Sequence, residues 1–432
     1  MNEPAAQVER VSPNRTPDPV RLLTAEDVLS LDESDKNDRF RLPLQELDIE
    51  GLLSFGEKVH FEFGRLNILV GPNGSGKSNL IDCVRMLRFA PLDIQEAFKD
   101  SGFGDWLYRG VNQQTGNALL QVLIGVPELP SAIRHQIRLG PPSNSRASIE
   151  EIVSRAETEG EHFLPYFVGS YRGGATLSVP TTGKRRRERE LSTSEYNPLQ
   201  SILSQIRDIG LYPEISRLAN LYSSFRVYSE WTFGRNSNLR EATLAGRSDA
   251  TLSESMSDLA LALNGLEKTA AHNKIRLLLR ELKDTYRDYV TRILFGRVGL
   301  ELVEVPFDLP LPANRLSDGT LRFLALATIL LQSTPPPLIC IEEPELGMHP
   351  DMIRMVAGMI IEASTGTQLI VTTHSEHLLS ALQDDFDALF AFDAGPKGSV
   401  VRRLSREEYL AWRVDHDLGD LWSSGEIGGV RY

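Results

Sequence analysis

The stretch "LNILVGPNGSGKSNL", residues 66–80, decides the fold. Leu66 to Val70 form an apolar run that enters Gly71-Pro72-Asn73-Gly74-Ser75-Gly76-Lys77-Ser78, and from Asn79 onward Leu80, Val84 and Leu87 recur at helical spacing. A buried strand, a glycine-rich turn and a helix in that order make a cradle for phosphate, and every fixed position of G-x-x-x-x-G-K-[ST] is satisfied. Glycine lets the backbone wrap an anion closely, while the helix amino terminus supplies amide donors and positive potential. Lys77 is expected to reach the β- and γ-phosphates of a nucleotide, and Ser78 to ligate Mg2+. A plain glycine turn would not need the lysine or the hydroxyl.

A second apolar run, "LICIEEPE" at residues 338–345, places three acids directly after a short buried strand. At the carboxyl end of a parallel strand, side chains project into the crevice where such sheets bind ligands. Glu342 is expected to hold Mg2+, directly or through water, and Glu343 to orient and deprotonate an attacking water. Glu345 is read as a brace for the loop. A third run, "LIVTTHSEH", ends in His374, where an imidazole can contact a γ-phosphate or the Glu343 carboxylate.

The chain has 432 residues, 41% hydrophobic and 24% charged, enough for a sizeable core. Its net charge of -13 excludes nucleic-acid binding over the whole surface and leaves room only for a local basic face. The densest basic run, "GKRRRERE" at 183–190, is interrupted by acids and reads as a solvated loop. No uncharged apolar run is long enough to span a membrane, and the amino terminus is polar and proline-bearing, so a cytoplasmic protein without membrane contact is expected. Cys83 and Cys340 both lie in apolar surroundings, which favours burial over a disulfide or metal site.

Alternating strands and helices at both ends predict an α/β fold with a parallel sheet. "LPLQELDIE" and "EKVHFEF" alternate as paired strands, and "ALLQVLIGV" reads as another. Residues 198–225 and 254–293 read as helical segments. The expected division is a disordered tail over 1–40, an amino-terminal lobe over 41–140, a mainly helical insertion over 141–294, a carboxy-terminal lobe over 295–400 and a tail over 401–432. The tail carries "EEYLAWRVDHDLGDLWSSGEIGGVRY", whose two tryptophans suit either an interface or packing on the domain itself.

"LNILVGPNGSGKSNL", "RLSDGTLRFLAL", "ICIEEPELGMHP" and "IVTTHSEHLL" together resemble the SMC-like branch of ABC ATPases, which includes RecF and the ATPase half of OLD proteins. Compact bacterial ATPases related to the AbiEii group of phage-abortive systems are similar in style. The resemblance covers roughly residues 43–125 and 295–395. It implies a P-loop NTPase of ABC/SMC type in which Ser317 and Gly319 belong to a signature motif, with Asp318 and Thr320 where transporters have Gly and Gln. His374 matches the switch histidine and His349 lies in the D-loop, where an interface or structural role is implied. Gln113 is the candidate for the glutamine loop, with Gln114 beside it.

The resemblance further implies a head-to-tail homodimer in which Ser317 and Gly319 of one protomer complete the site of the other. Such a switch would control a separate effector, a nuclease or toxin, in phage defence. The rival readings are a RecF-like repair ATPase that binds DNA and the ATP-binding subunit of a transporter.

Overall fold

A computed structural model describes residues 42–110, 118–143, 146–156, 165–171, 174–180, 186–232, 234–246, 251–404 and 417–425. The expected tail over 1–40, together with Gln113 and Gln114, lies outside the described residues.

Strands β1 (Leu44–Glu50) and β2 (Val59–Glu62) form the expected antiparallel pair. The fully buried β3 (Leu66–Val70) leads through the glycine loop into α1 (Lys77–Phe89). Strand β4 (Ala118–Ile124) returns beside β1, and a meander follows through β5 (Ile133–Ser143), β6 (Arg146–Arg155), β7 (Phe167–Gly169), β8 (Ala175–Pro180) and β9 (Arg186–Leu191). These strands form one antiparallel sheet in the order β2-β1-β4-β5-β6-β7-β8-β9.

The insertion is therefore not mainly helical, because its first part continues this sheet. In β6 the alternate residues Ala147, Ile149, Glu151 and Val153 are fully buried. Glu151 interrupts an otherwise readable two-residue period. It is tolerated inside because its oxygens accept from Ser201 Oγ at 2.6 Å and the Ile202 amide at 2.7 Å, with His135 Nε2 at 2.8 Å. The basic run also departs from a loop: Arg186–Leu191 is the sheet's last strand, with its central residues exposed.

Beyond it come α2 (Pro213–Ser224), β10 (Arg226–Tyr228), β11 (Thr243–Leu244), α3 (Leu259–Leu266) and α4 (Ala270–Leu282). The helix expected to continue to 293 stops at Leu282. Tyr286–Leu294 is instead strand β12, paired with β13 (Arg297–Glu304), which also pairs with β14 (Leu311–Pro312). "YVTRIL" is rich in branched and aromatic residues, and Phe295 and Gly296 turn the chain with φ of 50° and 74°.

The last third keeps the expected rhythm: α5 (Asp318–Leu330), β15 (Leu338–Glu342), α6 (Pro350–Ser364), β16 (Gln368–Thr373), α7 (Glu376–Ala381), β17 (Leu389–Gly395) and β18 (Gly398–Arg403). Helix α8 (Leu418–Ser424) follows. The second sheet runs β10-β15-β16-β3-β17-β18, parallel except for the edge strand β18.

Its two faces serve two cores. Ile68, Val70, Ile339, Ile341, Leu369 and Val371 pack with helices α3 to α8. Leu69, Leu338, Cys340 and Ile370 face the other way and pack with α1, α2 and the antiparallel sheet. Both cysteines are free and buried. This division puts the helix that carries Lys77 and the helix that follows Ser317 on opposite faces of one sheet.

Candidate nucleotide site

The glycine loop is held open and held down. Gly74 and Gly76 take φ of 78° and 106°, a left-handed backbone that glycine adopts without steric cost. A Cβ on Gly76 would lie 2.2 Å from Ser399 Oγ and 2.5 Å from Ser54 Oγ. Ser399 Oγ donates to the Ser75 carbonyl at 2.6 Å, so β18 forms the floor beneath the loop. No side chain caps the amino terminus of α1, and its first turn holds no acid, which leaves its amides oriented toward an anion.

Lys77 is 5% exposed, and its Nζ donates to the Gly71 carbonyl at 2.7 Å and the Pro72 carbonyl at 3.0 Å. Burial pulls its pKa down to about 8, against the opposing pull of Glu343 and Glu342. A phosphate would add to the negative charge that Glu343 and Glu342 already present to this ammonium.

Opposite stands Glu342, the last residue of β15, whose Oε2 accepts from Ser78 Oγ at 2.9 Å. Burial raises its pKa and the Ser78 hydrogen bond opposes the rise. A hydroxyl and a carboxylate side by side beneath a phosphate loop fit Mg2+, which takes hard oxygen donors and completes its shell with phosphates and waters. Among the described residues no cluster of three or more His, Cys, Asp or Glu could hold a metal, so this oxygen pair is the candidate.

Glu343 adopts φ of 44°, a left-handed conformation that costs a non-glycine residue about 1–2 kcal/mol. Neighbours fix it there. Its amide donates to the Thr372 carbonyl at 3.0 Å, and its carbonyl accepts from Arg322. The preceding carbonyl, of Glu342, accepts from Trp231 Nε1 at 2.8 Å. The Arg322 guanidinium lies 4.0 Å from the Trp231 ring centroid and is fully buried. Burial pulls the Arg322 pKa down to about 10, and Glu345 and Glu343 act against that shift.

His374 Nε2 lies 3.6 Å from Glu343 Oε1. Burial and then Lys77 lower its pKa while Glu343 opposes them, which favours the neutral imidazole. Glu345 braces the same corner: its Oε1 accepts from Thr373 Oγ1 at 2.6 Å and the His374 amide at 2.9 Å, and burial raises its pKa.

Thus Lys77, Ser78, Glu342, Glu343 and His374 meet at the carboxyl ends of β3, β15 and β16. Gly71 to Ser75 and Asn79 complete the loop and its helix start.

Ser317 stands apart, exposed, as the cap of α5, with its Oγ accepting from the Thr320 amide at 3.1 Å. Asp318 is tied to the Gly234 amide at 2.9 Å and to Arg240. Burial alone would raise its pKa, but these partners outweigh it and hold the carboxylate below its usual range. A Cβ on Gly319 would approach the Gly347 carbonyl to 3.3 Å. His349 caps α6 and is exposed.

Sequence reasoning missed Arg322 and Trp231. Arg322 had a signal: it is the sole charge within "LRFLALATILL", and such a buried charge needs a partner. Trp231 had none.

Fold and site define a P-loop ATPase of the SMC-like ABC type. The chain belongs to the family described as "AAA domain, putative AbiEii toxin, Type IV TA system", which matches residues 66–380. Among curated proteins it is similar to the chromosome partition protein Smc of Fusobacterium nucleatum subsp. nucleatum, 52% identical over 42 residues, or 10% of this chain and 4% of that protein. It is likewise similar to Smc of Desulfitobacterium hafniense, 47% identical over 51 residues, or 12% of this chain and 4% of that protein. Each match spans a small fraction of the relative's length.

In fold it resembles the SmcHead bound to the C-winged helix domain of ScpA, with a TM-score of 0.54, 15% identity and coverage of 85% of this chain and 99% of that one. The Smc head domain of Pyrococcus furiosus with an extended coiled coil, bound to the C-terminal domain of ScpA, gives a TM-score of 0.53 at 13% identity, covering 86% and 99%. No helix among the described residues is long and apolar enough to cross a membrane.

Proposed function

We propose that this ATPase is a dimeric switch whose ATP-bound state controls a separate effector, a nuclease or toxin, in bacterial phage defence. Lys77 neutralises the β- and γ-phosphates, and the loop amides and the start of α1 hold them. Ser78 and Glu342 would hold Mg2+, which supplies positive charge to the phosphates. Glu343 orients the attacking water and accepts its proton, and His374 stands beside it to contact the γ-phosphate.

The observation that carries the dimer is the placement of Ser317. Its helix packs on the sheet face opposite α1, and its hydroxyl is exposed and turned back on its own cap. A second protomer, docked head to tail, would bring its Lys77 site to Ser317 and Gly319. The role in defence rests on the family's description as part of a toxin system.

With Mg-ATP, Glu343→Gln should accumulate as a dimer on sizing with light scattering; a monomer at saturating ATP would sink the shared-site reading. For the effector, candidate partners encoded beside the chain's gene should change nuclease or toxin activity on co-expression with this variant. ATP hydrolysis stimulated by DNA, with a steep salt dependence, would move the assignment to a repair ATPase.

A further inference from the structure

Helix α8 lies beyond residue 380, where the family match ends, yet it packs beside the nucleotide site. Leu418 and Leu421 are fully buried in the same core as Leu378 and Leu379 of α7. Ser423 Oγ donates to Glu376 Oε2 at 2.7 Å, and a capping box at Asp417 and Asp420 fixes where α8 begins. Gly419 sits so close to α7 that a Cβ would come within 2.3 Å of Ser380 Oγ and 2.8 Å of the Glu376 carbonyl. The helix is thus seated by shape on the segment that directly follows His374. Its Trp422 ring lies 6.3 Å from the His374 ring, inclined by 59°, a spacing at which aromatic rings attract.

We propose that Trp422 is a positioning residue for His374, and that α8 is a latch whose docking sets the rate of ATP hydrolysis. The inference rests on the assignment of His374 to the nucleotide site. The imidazole is held from two directions: its Nε2 faces the Glu343 carboxylate at 3.6 Å, and Trp422 lies against the ring. Without the indole, the side chain gains rotamers that point away from Glu343. ATP affinity, which rests chiefly on the loop and Lys77, changes little with that freedom. A partner that lifts α8 would leave ATP bound and slow its turnover.

Steady-state hydrolysis and ATP affinity of single and double variants test this. Trp422→Ala should lower kcat about threefold to tenfold with ATP affinity within about twofold, and Trp422→Phe, which keeps a ring against His374, should stay near wild type. In a His374→Ala background, Trp422→Ala should add nothing, because its effect passes through the imidazole. Additive losses would overturn the latch, since a purely structural tryptophan would cost the same in either background.

Gly419→Val, which unseats α8 without touching either ring, should reproduce the kcat loss, and it carries the test if Trp422→Ala melts early. Unchanged kcat in Gly419→Val with α8 displaced would also overturn it. If His374→Ala itself hydrolyses normally, the assignment of His374 fails; if His374→Ala is slow and Trp422→Ala is normal, only the latch fails.

Discussion

The two halves of the proposed shared site are built to different degrees of completion. On the α1 side, Ser78 bonds Glu342, His374 faces Glu343, and Lys77 is tied to the carbonyls of its own loop, so these groups are held by local neighbours. On the α5 side, Ser317 caps its own helix in the open, while Asp318 is clamped to Gly234 and Arg240 from within the chain. One half is preorganised for phosphate and water. In the proposed head-to-tail dimer the other would be a rigid edge that meets the partner's phosphate. Rigidity without a ligand is what a trans-acting element needs, because docking then loses little conformational entropy.

The largest effect should come from the completed half. Glu343→Gln removes the proposed base while keeping size and the backbone hydrogen bonds, so hydrolysis should fall about 10²- to 10⁴-fold with ATP still bound. A normal rate in phosphate-release assays would reassign the base to Glu342 or Glu345.

Mixing the halves probes their separation. Lys77→Ala and Ser317→Arg homodimers should each lose about 10²- to 10³-fold in turnover. Random exchange between them makes about half the dimers mixed, each with one intact site, so activity should recover to about a quarter of wild type if sites act independently. Verified mixed dimers that bind ATP at the intact site yet never hydrolyse it would exclude independent shared sites.

The preorganised half should also destabilise the nucleotide-free protein. Lys77 is protonated in both folded and unfolded chains below about pH 8, so its buried charge opposes folding there. Between about 8 and 10.5 the unfolded chain holds more protons, and the penalty fades as pH rises. Lys77→Met should therefore be more stable than wild type at pH 7, by about 3 kcal/mol at most, with the gap narrowing by pH 10. Denaturant melts without nucleotide measure it, and a gap that widens with pH would contradict the burial argument.

The smallest change expected is at the joint between the halves. Arg322→Lys keeps a charge but loses the planar stack on Trp231 and the aim at the Glu343 carbonyl. A fall of about tenfold in kcat with KM unchanged is expected. Equal changes in both would place Arg322 in binding instead.

Much of the completed half was legible because its determinants are local. A glycine at positive φ, a hydroxyl after a lysine and acids at a strand end are encoded within a few residues, and "LNILV", "LICIE" and "LIVTT" announce their strands. What stayed hidden depends on residues distant in the chain. Nothing in the local sequence marks Glu151 as buried, because its partners, His135 and Ser201, come from other elements. Tyr286–Leu294 followed a convincing helix and was read as part of it, although its partner strand begins only after the Phe295-Gly296 turn. Trp231 gave no sign of reaching the Glu342 carbonyl, since no periodic pattern records such a contact.

The floor beneath the phosphate loop redraws the working boundary of this ATPase. Ser399, which fills the space where a Gly76 side chain would stand and holds the Ser75 carbonyl, lies past residue 380, where family likeness ends. A fragment trimmed to the shared homology would keep every motif and still lose the strand that shapes the first of them. The support of the phosphate loop therefore reaches at least through β18, further along the chain than the family match.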